Sequence, residues 1–295
     1  FRNPSTQDLF IGLNAGLAIL VGSAPENLDR YTSGDILLST NGQGVTGQTS
    51  VQLTGAAPYT NAFSQRSVEA GAPEAIDVDF VKPEKISAYE VGYRGVFGKM
   101  SIDLNAYYNA YQDFISNKTV LTPLYGQAGD NALSLLALQN GDFQPFQTYT
   151  NSLADINSYG AGIGVTTKLF GDFDFGVNYT YAKLDFDDTN DPGFETNFNT
   201  PEHKVKASFG SQNLFKNFGF NLNWRWNDVY LWQSTFADGF IPNRNLFDAQ
   251  VNLEVPSIKS TFKVGGSNIF GEEYVSAPGA GTIGAQYYVS WTINN

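Results

Sequence analysis

The sequence predicts an all-β fold, a transmembrane antiparallel β-barrel, on three observations. The first is strict alternation. From Asn217 to Asn227, the side chains of Phe218, Phe220, Leu222, Trp224 and Trp226 fall on one face, and Asn217, Gly219, Asn221, Asn223, Arg225 and Asn227 fall on the other. Successive side chains of a strand point to opposite sides, so one face is wholly apolar and the other polar. The second observation is that eight further segments repeat the pattern, and their apolar faces end in Tyr, Trp and Phe. Lipid outside, water inside and aromatic girdles at both interfaces produce this signature. The third is that short turns (98–99, 171–172, 216–217, 257–260) alternate with long loops (117–154, 187–200, 235–243, 271–281), the asymmetry of periplasmic and extracellular connections in outer-membrane barrels.

Composition agrees. No run of 18 apolar residues occurs in the 295, which excludes a transmembrane helix, and mean hydropathy is −0.24. Aromatics reach 15% while charged residues are only 16%, with 30 Gly. The absence of cysteine excludes thiol catalysis, Cys-ligated zinc and disulfides. A net charge of −12 argues against a nucleic-acid partner, because that affinity comes from cationic phosphate contacts. No signal peptide is present at Phe1, and the chain opens in mid-motif, so a preceding part is expected.

Residues 1–85 read as irregular. Ser5-x-x-Asp8 resembles a capping box for a short helix within 5–21, and 22–85 is rich in Gly, Ser, Thr, Asn and Pro, the composition of a long loop. The first strand, 86–97, places Tyr89, Val91, Tyr93 and Phe97 opposite Glu90 and Arg94. The second, 100–116, sets Ile102, Leu104, Ala106 and Tyr108 against Asp103, Asn105, Tyr107 and Asn109. A long segment to 154 follows, with a helical turn near 133–138. The third strand, 156–169, carries Tyr159, Ala161, Ile163 and Val165, and the fourth, 173–186, carries Phe173, Phe175, Val177, Tyr179 and Tyr181. An acidic loop leads to the fifth, 202–214, with Val205, Ala207 and Phe209 opposite Lys204, Lys206 and Ser208. The sixth runs over 218–234. The seventh has Phe247, Ala249, Val251 and Leu253 against Asp248, Gln250 and Asn252, the eighth covers 261–270, and the ninth has Tyr287, Val289, Trp291 and Ile293 outward.

The turn rule orients the chain, with 1–85 as a long extracellular loop region and 86–295 as the C-terminal strands of the barrel. Nine is an odd number, and bacterial single-chain barrels have even ones. The segment is therefore expected to be part of a larger wall.

Four elements resemble TonB-dependent outer-membrane receptors. Phe1-Arg2-Asn3-Pro4-Ser5 is similar to an F-R-x-P-[ST] element that follows a barrel strand. Lys82-Pro83-Glu84 with Tyr89-Glu90-Val91-Gly92-Tyr93-Arg94 resembles the family's K-P-E…Y-E-x-G-x-[KR] strand. Thr200-Pro201-Glu202-His203-Lys204 resembles its T-P-x-H-K strand start, and Asn268-Ile269-Phe270 with Tyr274 its N-[LI]-F-x-x-x-Y element. The wording is closest to receptors of Bacteroidota, relatives of the SusC transporters. The resemblance implies a barrel of about 22 strands closed by a plug, of which this chain supplies the last nine or so. Plug, TonB box and the first part of the barrel are not in this sequence, and the final strand ends Trp291-Thr292-Ile293-Asn294-Asn295 rather than in an aromatic.

Candidate chemistry is sparse. His203, the only histidine, reads as a strand-start residue near the outer interface rather than a catalytic base. Gly160-x-Gly162-x-Gly164 departs from the dinucleotide pattern at Val165 and lacks a following helix; it reads as small lumen-facing positions. Asp185, Asp187, Asp188, Asp191 and Glu195 form the densest carboxylate cluster. A solvated acidic loop is the plain reading, and a calcium site, which takes oxygen ligands, the alternative. Trp224 and Trp226 share the lipid face. Tyr230 and Trp232 lie beyond Asp228 and are free to touch solute, and Tyr107, Asn221, Asn223 and Arg225 are lumen candidates.

The function expected is that of an outer-membrane receptor and transporter without enzymatic activity or resident cofactor, taking up a glycan, peptide or metal chelate. Its partners would be outer-membrane lipids, TonB through the preceding part, and a SusD-like lipoprotein on the extracellular side. The rival readings are a barrel scaffold in an outer-membrane assembly and a secreted soluble β-protein.

Overall fold

The computed structural model describes residues 1–39, 47, 49–130, 132–171, 173–234 and 237–293. Its dominant feature is a nine-stranded antiparallel sheet in which almost every strand pairs with its neighbours in the wall series. The strands are Lys85–Phe97, Met100–Gln112, Ile156–Leu169, Phe173–Asp185, His203–Phe215, Phe218–Asn227, Arg244–Val255, Ser260–Ser267 and Gln286–Ile293. They follow the predicted series from first to ninth. Among the described residues no helix is long and apolar enough to cross a membrane.

The register converts the alternation into two chemically distinct faces. Gly95, Ile102, Val165, Val177, Ala207, Trp224 and Phe247 lie side by side across the first seven strands. One residue away, on the opposite face, the row reads Arg94, Asp103, Gly164, Asn178, Lys206, Arg225 and Leu246. The apolar face is not buried by protein: Val91 is 71% exposed and Val289 78%. Such a face is stable only against hydrocarbon.

Aromatic rings mark both borders of the apolar band. Near the short turns, Phe173 stacks on Phe209 at 5.3 Å and Phe262 on Trp291 at 6.0 Å. At the opposite border, His203 lies 5.2 Å from the Tyr181 ring, and Phe247 packs on Phe270 at 5.2 Å. Glycines on the polar face make room for large neighbours. A Cβ at Gly160 would stand 2.6 Å from the Tyr107 ring, and one at Gly162 would stand 2.9 Å from the Asn105 amide.

The short turns follow local chemistry. Gly98 and Asn217 adopt left-handed φ values of 61° and 66°, which these residue types tolerate. Asp172, in the turn expected at 171–172, lies outside the described residues, as do Asn294 and Asn295 at the end of the ninth strand. Three boundaries differ from expectation. The eighth strand, expected to 270, ends at Ser267, where Asn268 turns to φ 51°. The second strand stops at Gln112 because Asp113 turns to φ 54°, and Ile115–Pro123 begins a strand of another sheet. The sixth stops at Asn227, and Tyr230–Trp232 pairs instead with Gly239–Ile241.

The larger difference concerns 1–85 and 117–154. Read as loop, they fold together into a second body on the long-loop side of the wall. Its seven-stranded sheet joins Gly12–Asn14, Ile19–Val21, Phe143–Asn151, Ile115–Pro123, Ala62–Ser64 and Ala75–Ile76 in that order, with Phe194–Glu195 added to Ile115–Pro123. Ile19, Val21, Tyr59, Ala62, Val78, Val120 and Phe146 form its core. The capping box is present: Ser5 and Asp8 bond reciprocally at the start of helix Thr6–Phe10. A helix forms at Leu133–Asn140, where a helical turn was expected near 133–138.

Two outcomes test this architecture. In the intact protein, cysteines at Leu222 and Asn221 should show opposite accessibility to a membrane-soluble quencher, and Leu222→Arg should cost about 2–4 kcal/mol; equal accessibility at the two positions would overturn the face assignment. Lys85–Phe97 and Gln286–Ile293 each pair on one side only among the described residues, and an unpaired backbone group in hydrocarbon costs several kcal/mol. Residues 1–295 alone should therefore fail to give a heat-resistant band on a heat-modifiability gel.

Candidate functional site

Three stretches converge above the polar face of the wall, at 115–118, 191–200 and 228–240. Two asparagines in left-handed backbone, Asn197 (φ 52°) and Asn199 (φ 44°), hold them together. Asn199 acts as a substitute peptide for Gln233: its Nδ2 donates to the Gln233 carbonyl at 2.9 Å, and the Gln233 N–H donates to its Oδ1 at 2.7 Å. Asn197 Nδ2 donates to Ser116 Oγ at 2.8 Å. Below them, Lys118 Nζ pairs with Asp191 at 2.5 Å, the Asp191 side chain buried and that of Lys118 mostly so, and Asp191 also accepts from the Leu153 N–H at 2.9 Å. Removing one partner of such a pair strands a buried charge and costs about 3–5 kcal/mol.

These ties leave a cavity of about 730 Å³ between the loops, with Glu195, Phe198, Tyr230 and Asp238 in its wall. A second cavity of about 540 Å³ adjoins it and shares Thr196, Phe198 and Gln233. Glu195 accepts from Asn117 Nδ2 at 3.1 Å. Burial and the nearby Asp238 push its carboxyl up to about 7, against the lowering effect of the Asn117 bond.

The candidate residues separate into groups. Asn221, Asn223 and Arg225 occupy successive inward positions of the sixth strand, and Arg225 is held by Asp248 at 3.0 Å. Tyr107 is inward on the second strand, four strands away. Tyr230 lines the larger cavity, whereas Trp232 sits half-buried in the ribbon beside it and outside that wall. The loop carboxylates do not converge. Asp188 pairs with Arg66 at 2.6 Å, Asp191 with Lys118, and Asp187 accepts from Thr189 Oγ1 at 2.6 Å. Asp185 ends the fourth strand. Among the described residues no group of three or more His, Asp or Glu is placed to hold a metal ion.

His203 accepts or donates at Nδ1 to Tyr179 OH, 2.8 Å away, within the outer aromatic border. The glycines 160, 162 and 164 lie inside the third strand. The elements at either end of the outer body meet. Arg2 and Glu84 exchange backbone hydrogen bonds at 2.8 and 2.9 Å, and the Arg2 guanidinium reaches Glu84 and Asp8 at 3.4 Å each. The buried Glu84 also accepts from the Ile115 N–H at 2.9 Å. Arg2, Glu84 and Ile115 thus fasten the outer body to the head of the first strand. Asn268 donates from its backbone to Asp248 at 3.0 Å, and the Arg244 guanidinium lies 5.2 Å over the Tyr274 ring. Sequence reasoning missed Asn197, Asn199 and Gln233; the alternating asparagines of Asn197-Phe198-Asn199 were the available signal.

The raised Glu195 carboxyl has a consequence. The folded rim binds this proton more tightly than the unfolded chain does, so stability falls as pH rises from 4.5, the ordinary value, to about 7, and is level above. Hydrogen exchange at 117–119 and 194–197, corrected for its intrinsic pH dependence, should quicken across this range. In Glu195→Gln it should be flat. A wild-type profile that is also flat would contradict the assignment.

Comparison with solved structures returns barrels. The FrpB iron transporter from Neisseria meningitidis (F3-3 variant) aligns with a TM-score of 0.51 at 13% identity, covering 74% of this chain and 32% of that one. A mutant of the ferric enterobactin receptor PfeA from Pseudomonas aeruginosa aligns at 0.50 and 15% identity, covering 72% and 31%. At such identities the likeness is one of fold. The chain spans about a third of the length of these structures, and no curated protein matches it. The profile for "TonB dependent receptor-like, beta-barrel" matches residues 1–269. The chain belongs to the TonB-dependent receptor-like β-barrel family.

Proposed function

We propose that this chain is the wall and outer-loop portion of an outer-membrane receptor that imports a solute too large or scarce for passive pores, with energy delivered through TonB by a part of the protein outside this segment. The observation that carries the reading is the pairing of a lipid-facing wall with a packed outer body on the side of the long connections. Binding residues are carried disproportionately on loops positioned by a rigid scaffold. The rim cavity and the inward residues Asn221, Asn223, Arg225 and Tyr107 offer a solute first a mouth and then a polar wall. The SusC-like subtype and a lipoprotein lid over the outer body belong to the same proposal. They are supported by the wording of the sequence elements and by the breadth of the outer body.

Growth on a panel of limiting iron chelates, glycans and peptides tests it. Disrupting the receptor and disrupting TonB should abolish use of the same solute. If receptor disruption spares every solute but dissociates another outer-membrane complex, the scaffold reading replaces import.

A further inference from the structure

The larger rim cavity has a chemistry that neither the wall nor the family requires. Six carboxylates reach its wall. Two are paired, Asp188 with Arg66 and Glu202 with Lys183 at 3.8 Å. The other four come from separate segments: Glu69 at the end of helix Gln65–Glu69, Glu195 from strand Phe194–Glu195, Asp228 just past the sixth strand, and Asp238 just before Gly239–Ile241. None of the four has a Lys or Arg nitrogen within ion-pair distance among the described residues. The cation in the wall, Arg66, is already taken by Asp188 at 2.6 Å. Glu195 is desolvated beside Asp238, an arrangement that costs free energy unless the carboxyl takes up a proton or a positive charge enters. Aromatic rings share the wall, Phe186, Phe198, Tyr230 and Phe240 among them, with polar side chains such as Asn199 and Gln233 between.

We propose that this cavity captures an organic cation: an ammonium or guanidinium group carried on an apolar body. Three features select this class. The carboxylates are spread over the wall rather than gathered, and among the described residues no three acidic or His side chains sit together for a metal ion, so a point cation would not be chelated. Aromatic faces attract ammonium and guanidinium groups and stack their apolar bodies. A volume of about 730 Å³ lies within the range of small-molecule sites. A neutral sugar would use the rings but would leave the carboxylates uncompensated. The proposal deepens the import reading and rests on it for its biological role, but binding is measurable without transport.

The test uses the intact protein that carries this chain, purified in detergent, with dansylcadaverine as the cationic probe and dansylamide as its neutral counterpart. Fluorescence titration should show the cation bound at least about tenfold more tightly than the neutral probe. Asp238→Asn, at an exposed residue, should weaken only the cation, and Glu195→Gln with Asp238→Asn should abolish the preference. Tyr230→Ala should weaken both probes. Heat-modifiable migration verifies that each variant is folded. Equal binding of the two probes, or an undiminished cation preference in the folded double variant, would overturn the proposal. Specific binding of the cation without energised uptake in cells supports the site and counts against the import reading alone.

Discussion

In the interior of a bilayer no water is available to a backbone N–H or C=O, so each must be paired within the protein. The nine-stranded wall meets this constraint by the simplest topology, each strand beside the next in the series, and its other properties follow. A strand with lipid on one side and a polar lumen on the other must alternate, giving rows such as Val165–Val177–Ala207–Trp224 on one face and Gly164–Asn178–Lys206–Arg225 on the other. The same constraint makes the two outermost strands incomplete: among the described residues each offers one unpaired edge, which hydrocarbon does not tolerate. Closure of the wall therefore needs further strands, as in the solved barrels of about three times this length.

The polar face obeys a second rule. Several of the charges there are paired within the wall. Arg94 bonds Asp103 through Nε at 2.7 Å across the first strand pair, and Arg225 is shared between Asp248 and Ser267. Like charges directly opposite one another destabilise a sheet, and Lys206 stands opposite Arg225. Asp248, from the next strand, offsets that repulsion and also fixes the turn at Asn268 by accepting its backbone N–H. One carboxylate thus joins the lumen wall to the element that precedes the final strand.

How much of this was legible depended on how local the determinants were. The wall strands were readable because a period of two over eight to fourteen residues is written within each segment, with Gly or Asn at three of the short turns. The outer body was not. Its strands of two or three residues, such as Ile36–Leu37 and Ala75–Ile76, are too short to show a period. Its central pairing places Ile19–Val21 parallel to 146–148, a contact between segments more than a hundred residues apart. The family-like elements at Arg2 and Glu84 were readable as words, but their hydrogen-bonded bridge was not. At the rim, Tyr230, which lines the larger cavity, could be singled out because aromatics past a membrane border stand out. Asn197 and Asn199 were missed because their role depends on a left-handed backbone that asparagine permits without dictating.

The rim is where local energetics and folding pull in opposite directions. Glu195 would be more stable in water, yet it is drawn in by the two-residue pairing of Phe194 and Glu195 with Lys118 and Asn117. The fold tolerates this because stronger ties surround it: the buried Lys118–Asp191 pair on one side and the two-bond clasp of Asn199 on Gln233 on the other. Local conflicts that a structure maintains at a cost concentrate at sites of function. Here the unfavourable group faces a cavity rather than the core, so a ligand of opposite charge can offset the cost without any rearrangement of the wall. The rigid sheet beneath has no such freedom, since every residue of it is committed to lipid, lumen or a neighbouring strand.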